Sequence, residues 1–363
     1  MGFQCGIVGL PNVGKSTLFN CLTRAGIAAE NYPFCTIEPN VGMVAVPDPR
    51  LEALAAIVRP EKVLPTMMQF VDIAGLVAGA SRGEGLGNKF LAHIRETDAI
   101  AHIVRCFVND DVTHVAGKVD AIADIETIDT ELVLADLDSA ERALDRTTRQ
   151  TRSGDKEALR LVTVLERVVA HLGAGRPLRT LVVEEDERGL LKSWQFITAK
   201  PVLYVANVDD SAAEDNAQVA AVRKHAAAEG AEVVVLCAAL EAELAELEAE
   251  EQAEFLADLG QTEPGLHRLI RAGYALLDLL TFFTAGPKEV RAWTVRRGVT
   301  APQAAGRIHT DFEKGFIRAE VTAYHDFIAF GGESGARASG KLRLEGREYR
   351  VAEGDVMHFR FNV

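Results

Sequence analysis

The stretch GLPNVGKSTLFN, Gly9 to Asn20, follows the apolar run FQCGIV and limits the possible folds more than any other part of the chain. Gly9, Gly14, Lys15 and Ser16 match GxxxxGKS, with the strand-like run before it and the helix-like STLFNCLTRAG after it that this motif requires. Small residues let backbone N–H groups turn inward around phosphate oxygens, and the helix N-terminus adds partial positive charge. Lys15 is suited to neutralise the β and γ phosphates of a nucleotide, and Ser16 to ligate magnesium. The expectation is an α/β fold built around a P-loop.

A P-loop is shared by kinases, transporters and switch NTPases, so the downstream partners decide between them. TMMQFVDIAG, Thr66 to Gly75, is an apolar strand ending in DxxG, which places Asp72 near magnesium and the Gly75 N–H near a γ-phosphate. Between the two motifs, NYPFCTIEPN offers Thr36 as a second metal ligand whenever the γ-phosphate is present. Cys35 precedes it directly, either as a small packed hydrophobe or as an oxidisable thiol. The glycine-rich LVAGASRGEGLGNKF after Gly75 reads as a second switch. Regulatory GTPases place a water-orienting glutamine after this glycine, whereas here the residue is Leu76, so hydrolysis must use another group.

The base should be read at the end of a later strand. PVLYVANVDD supplies NxxD through Asn207 and Asp210, with Val208 where guanine-specific enzymes carry lysine. Asn and Asp also favour turns and caps, so this motif takes its meaning from those upstream. EVVVLCAALEA then gives another buried strand, and its small residues bring Ala239 and Leu240 close to the base edge. From Gly75 to Asn207 is 132 positions. Two strand–helix units need only roughly 60, so something is inserted. Leu137, Ala140 and Leu144, then Leu161, Leu165, Val168 and Leu172, recur at helical spacing on either side of SGD, predicting an antiparallel helical hairpin between about 130 and 172. Its turn, with Arg146, Arg149, Arg152, Lys156 and Arg160, is either a solvated tip or an RNA or protein contact.

Farther on, EAELAELEAEEQAEFLADLG reads as one acidic, solvated helix. KEVRAWTVRRG and FIRAEVTAY are strand-like around a short helix in APQAAGRIHTDF, and EYRVAEGDVMHFRFNV has the composition of a hairpin, together a small α+β domain. Net charge is −14, but from Thr281 to Val363 there are 13 Lys and Arg against 10 Asp and Glu, a net +3 that leaves −17 on the remainder. Arg296, Arg297, Lys341, Arg343, Arg347 and Arg350 therefore either face RNA or form ordinary soluble surface. Five cysteines without a CxxC pair argue against a disulfide framework or a zinc site. No apolar run reaches the length of a membrane span and no export signal opens the chain, so the expected setting is the cytoplasm, with no membrane partner.

The whole chain resembles the YchF or Obg-like ATPase family, through MGFQCGIVGLPNVGKSTLFN, NYPFCTIEPNVG, DIAGLVAGASRGEGLGNKFL, IRAGYALLDLLTFFTAG and the terminal VMHFRFNV. The resemblance implies an Obg-type nucleotide-binding domain in two segments, 1–129 and 198–280, an inserted antiparallel coiled-coil arm at 130–197, and a ubiquitin-like α+β TGS domain at 281–363. It implies slow hydrolysis, of ATP ahead of GTP, and association with the ribosome, its large subunit and rRNA, without a DNA partner. Asn12, Val13, Gly14, Lys15, Ser16 and Thr17 match the family's phosphate loop, and Ser16 and Thr36 its Mg2+ ligands. Leu76 matches the hydrophobic replacement of the catalytic glutamine, and His114 the position of the proposed substitute, beside Lys15 and Gly75. Asn12 also matches the asparagine of potassium-activated relatives, which implies a K+ effect. One departure stands out: the family commonly closes its base motif with glutamate, whereas this chain has Asp210, a partner for guanine.

Overall fold

Strands buried on both faces read as continuous apolar runs, and two of them, AIAHIVR and VLYVAN, are adjacent interior strands of the first sheet with every residue buried. A computed structural model describes residues 3–27, 40–73, 86–109, 119–151, 155–209 and 216–362. The chain divides into two compact units, Met1–Met43 with Gln69–Gly273, and Val44–Met68 with Tyr274–Val363. In chain order the described strands are β1 (Gln4–Val8), β2 (Val41–Ala45), β3 (Lys62–Leu64), β4 (Met67–Asp72), β5 (Ala99–Arg105) and β6 (Val202–Asn207). There follow β7 (Glu232–Leu236), β8 (Leu279–Ala285), β9 (Glu289–Arg296), β10 (Phe316–Ala323), β11 (Arg343–Glu345) and β12 (Asp355–Phe361).

The first unit is a doubly wound α/β layer with sheet order β2-β4-β1-β5-β6-β7, in which β4, β1, β5, β6 and β7 pair in parallel. Parallel order turns the C-terminal ends of β1, β4, β5 and β6 to one edge, where ligands of such sheets bind. Helix α1 (Lys15–Ile27) leaves that edge after β1, α3 (Leu86–Glu96) precedes β5, α7 (Ala217–Glu229) precedes β7, and α8 (Ala238–Leu244) follows it.

The inserted hairpin is present and longer than its apolar period suggests. α4 runs Ala121–Gln150 and α5 runs Lys156–Gly173. α4 starts well before 130 because Asp120 caps it, accepting from the Ala123 N–H, and its 30 residues span roughly 45 Å. Asp155 caps α5 through the Glu157 and Ala158 N–H groups. Val133, Ala140 and Ala143 pack against Leu165, Val168 and Leu172, closed at the root by Leu178 and Phe196. Fully buried Asp136 accepts from Ile197 N, Thr198 N and Thr198 Oγ1, at 3.0, 2.7 and 2.7 Å, which stitches α4 to the returning chain. Beside it, Arg179 donates to Asp129 and Glu229, each at 2.8 Å, and Tyr204 also donates to Glu229. Of the arginines expected at the tip, Arg160 pairs with Asp186 of α6 (Glu185–Leu191), and Arg146 lies 4.7 Å over the Trp194 ring. Arg152 falls outside the described residues.

The acidic segment is two helices, not one: α8 ends at Leu244, and α9 (Ala249–Asp258) restarts after Glu248, which forms a capping box with Glu251. α10 (Gly265–Leu276) closes the unit.

The second unit has sheet order β11-β10-β12-β8-β9-β3. α11 (Ala301–Ile308) lays Ala301, Ala304 and Ala305 against Leu280, Phe282, Val295 and Phe359, and α12 (Thr310–Lys314) follows it. The opposite face, at Phe283, Val290, Ala292 and Val356, is covered by Leu51 and Leu54 of α2 (Pro49–Val58) and by Phe327 of α13 (Tyr324–Ala329), after which comes α14 (Glu333–Ala338). Residues 44–68, assigned by sequence to the nucleotide-binding segment, therefore join the C-terminal unit, since β3 pairs in parallel with β9 and α2 fills its core. The arm, in turn, groups with the nucleotide-binding unit.

The hairpin expected in EYRVAEGDVMHFRFNV does not form. β12 pairs with β10, and buried Asp355 accepts from Tyr349 Oη and Ala352 N, folding 349–355 into a turn. Of the C-terminal basic residues, Arg297 pairs with Asp278, Arg343 bonds Tyr349, and Arg347 donates to the Phe316 carbonyl. The four described cysteines are buried, and no disulfide joins them. Among the described residues no helix is long and apolar enough to cross a membrane.

His102 of β5 is 2% exposed and packs on Tyr204 at 5.6 Å between centroids. Burial, reinforced by Arg179 and His225, pushes its imidazole from 6.5 down to about 3. The folded protein keeps this ring neutral where the unfolded chain protonates it, so its stabilisation is present above pH 6.5 and is lost as pH falls toward 3. His102→Phe should reduce the slope of unfolding free energy against pH by about 1.4 kcal/mol per pH unit between those limits. Denaturant titrations across that range check this, and parallel slopes would refute it.

Candidate nucleotide-binding site

At the C-terminal end of β1 the chain turns through Gly9–Gly14 into α1. The turn has no room for side chains at its glycines: a Cβ on Gly9 would lie 2.7 Å from the Ile103 carbonyl, and one on Gly14 only 2.2 Å from Asn207 Nδ2. Gly14 also has φ +93° and Asn12 φ +64°, the left-handed conformations that curl the loop. Ser16 and Thr17 are exposed in the first turn of α1, and Val13 is buried.

Lys15 is 9% exposed, donates to the Ile73 carbonyl at 2.7 Å and lies 3.5 Å from Asp72 Oδ1. Burial pushes its ammonium below its ordinary pKa, and Asp72 opposes that shift. Among the described residues Asp72 Oδ1 is buried and accepts no hydrogen bond, Lys15 being its charged neighbour, which leaves a carboxylate oxygen beside the phosphate cradle with acceptor capacity to spare. Such an oxygen, with the exposed Ser16 hydroxyl, is the hard donor set that suits Mg2+.

Asn207, 3% exposed at the end of β6, gives its Nδ2 hydrogen to the Val13 carbonyl at 2.8 Å, and its Oδ1 accepts from Ala238 N at 2.9 Å. The structure thus brings Val13, Gly14, Lys15, Asp72 and Asn207 together, with Val208 buried next to them. Ala239 is exposed in the first turn of α8 and Leu240 half-buried. Thr36, Gly75, His114 and Asp210, with Cys35 and Leu76, lie outside the described residues.

Two participants were not singled out in the sequence. The Ile73 carbonyl is a main-chain group inside DxxG and carries no side-chain signal. Glu241 stands directly after Leu240 and is buried, although its acid-rich neighbourhood suggests solvent.

The fold and this site define a P-loop nucleotide-binding protein of the GTPase class. Residues 4–158 match the family model of the 50S ribosome-binding GTPases, and residues 279–362 match the YchF-GTPase C-terminal model, itself described as a protein of unknown function. The chain is 65% identical to the ribosome-binding ATPase YchF of Haemophilus influenzae, 59% to that of Escherichia coli O157:H7 and 54% to that of Bacillus subtilis, with complete coverage of both chains each time. The solved YchF GTPase of Schizosaccharomyces pombe is 36% identical with a TM-score of 0.90, over 99% of this chain and 98% of that one. A GTP-binding protein from Pyrococcus horikoshii OT3, 20% identical with a TM-score of 0.61, shares the fold. The chain belongs to the YchF family.

Because both atoms of the Asn207 amide are bonded inside the protein, its removal leaves the Val13 carbonyl and the Ala238 N–H unpaired. Asn207→Ala should cost about 1–3 kcal/mol of stability with no nucleotide present. Chemical denaturation of the nucleotide-free protein measures it, and an unchanged stability would show that the bridge is incidental.

Proposed function

We propose that this protein is a Mg2+-dependent nucleoside triphosphatase switch that hydrolyses ATP and binds the ribosome. The observation that carries the enzymatic part is the pairing of a buried lysine at the P-loop with an Asp72 oxygen 3.5 Å from it that accepts no hydrogen bond among the described residues, a charge arrangement completed by a metal-bound polyphosphate. The relatives named above as ribosome-binding ATPases support the choice of ATP and the ribosomal partner.

In this reading the loop from Asn12 to Thr17 wraps the phosphates, with Lys15 set against the β and γ groups. Ser16, Asp72 and Thr36 would hold the metal, which when bound supplies charge neutralisation on the phosphate oxygens. The Gly75 N–H holds the γ-phosphate, and loss of that phosphate releases the segments that carry Thr36 and Gly75. His114 takes the water-positioning role that Leu76 cannot. With no glutamine in that place, turnover by the isolated protein is slow, and the ribosome is the expected accelerator. A K+ effect on turnover follows from Asn12, and identical rates in potassium and sodium would remove it.

Buried, apolar Val208 stands where guanine-specific enzymes carry lysine, which favours adenine, whereas the Asp210 carboxylate favours guanine N1 and N2. GTP is therefore the alternative substrate. Equilibrium titration of the nucleotide-free protein with Mg-ATP and Mg-GTP separates the two, and tighter GTP binding would overturn the ATP assignment. Lys15→Ala should abolish turnover, and His114→Ala should lower kcat on the order of 100-fold with KM unchanged. Release of free phosphate, rather than a phosphorylated acceptor, excludes a small-molecule kinase. Co-sedimentation with ribosomes in ATP and in ADP tests the partner, and equal binding in both states would leave a ribosome binder that is not a switch.

Asp72→Asn keeps the shape of the side chain and removes its charge. The Mg2+ concentration giving half-maximal turnover should rise by about tenfold or more, while saturating Mg2+ restores part of the rate. An unshifted Mg2+ dependence would take Asp72 out of the metal site.

A further inference from the structure

Asn207 does not choose between purines. One hydrogen of its Nδ2 is committed to Val13 and its Oδ1 to Ala238. The remaining hydrogen suits the imidazole-ring nitrogen that adenine and guanine share. Next to it Val208 has no polar side-chain atom. Among the described residues, then, discrimination falls to main-chain groups near Val208, Ala239 and Leu240. Such groups read a base edge well only when they are held still before the ligand arrives.

What holds Ala239 and Leu240 is the residue that follows them. Glu241 is 4% exposed, and its carboxylate spans the gap to α10: Oε1 accepts from Gly265 N at 2.7 Å and Oε2 from Leu266 N at 3.2 Å. Its own N–H donates to the Cys237 carbonyl at 3.0 Å, inside the turn that presents Ala239 and Leu240. The fit is close, since a Cβ on Gly265 would fall 2.7 Å from Oε1 and 2.9 Å from Leu236 Cβ. Burial raises the Glu241 carboxyl from its ordinary pKa, and the two backbone N–H bonds pull it back. Burying a carboxylate is costly, and the positive end of the twelve-residue α10 offsets part of that cost. A cleft lined by Val208, Asp209, Cys237, Leu240, Glu241 and Arg268 sets this clamp beside the segments that meet the base.

We infer that Glu241 is a positioning residue for base discrimination: by clamping α8 to the N-terminus of α10 it fixes the main chain of Ala239 and Leu240, so purine preference depends on a carboxylate outside the NxxD motif. This rests on the reading of the site as one that binds purine triphosphates. Glu241→Gln keeps the size of the side chain but turns an amide NH2 toward one of the two N–H donors. Gly265→Ala disturbs the clamp from the other side without changing any residue of α8.

The experiment uses the full-length, nucleotide-free protein and both variants. It measures Kd for Mg-ATP, Mg-GTP and inorganic tripolyphosphate, after circular dichroism has confirmed a native spectrum. The ratio of the ATP and GTP constants should move toward unity by about tenfold in each variant, while tripolyphosphate affinity stays within about twofold of wild type. If both nucleotides weaken equally and the ratio is kept, Glu241 is merely structural and the inference fails. A wild-type protein that prefers GTP would sink the ATP assignment alone, because the same ratio still tests Glu241. A wild type that binds both purines equally would overturn both. Should Glu241→Gln not fold, the ratio in Gly265→Ala decides.

Discussion

The side chain of Asn207 is the point where the ends of three parallel strands are fastened together. It sits at the end of β6, donates into the loop that follows β1, and accepts from the helix that follows β7. The loop after β1 and the turn into α8 are thereby one object rather than two loops that happen to be near each other. Gly14 has to be glycine in consequence, for its missing Cβ is the space that the Asn207 amide occupies. An amide does this better than a carboxylate or an ammonium, because one side chain must donate to a carbonyl and accept from an N–H at the same time.

The inserted arm is fastened with equal thoroughness, by different chemistry. Its root has a fully buried aspartate satisfied by three donors and an arginine shared between two carboxylates. Buried charges of this kind add little net stability compared with apolar packing, but breaking one partner is costly, so they set geometry more than strength. The same root reaches the helix that follows the glycine-rich segment. Arg95 near the end of α3 donates to Ser139 of α4, and the Lys200 ammonium caps the carbonyl groups of Arg95 and Thr97. The arm is therefore tied to the C-terminal end of α3, the helix that follows the glycine-rich segment in sequence.

How much of this was legible in the sequence differs from element to element for physical reasons. The convergence of Lys15, Asp72 and Asn207 was readable because each lies in a short motif at a strand end. The arm was readable from the surplus length before Asn207, but its first turns were not. They depend on the Asp120 cap, which comes before the apolar period becomes regular. The placement of residues 44–68 left no local trace, since β3 is three largely exposed residues whose identity as a strand exists only through pairing with β9. The C-terminal hairpin was misread because AEGD is a good turn anywhere, and only the Asp355 contacts show that it closes on Tyr349 rather than joining two strands. Glu241 was hidden among other glutamates, where repetition suggests solvent. What sets it apart is Gly265, twenty-four positions away.

That last case bears on how purine choice is built in this fold. A lysine and a carboxylate in the base motif place much of the selectivity in side chains, which one substitution can alter. Here the lysine is replaced by buried Val208, and the asparagine is occupied in holding strand ends together. On the inference drawn above, selectivity rests on where the main chain stands as well as on Asp210, and main-chain position is a property of packing rather than of one motif. Two N–H bonds to a buried carboxylate, made by the first two residues of α10, fix that position from outside the site. A base pocket of this type can keep its P-loop and its NxxD spacing intact and still change its preference through residues that never touch the base.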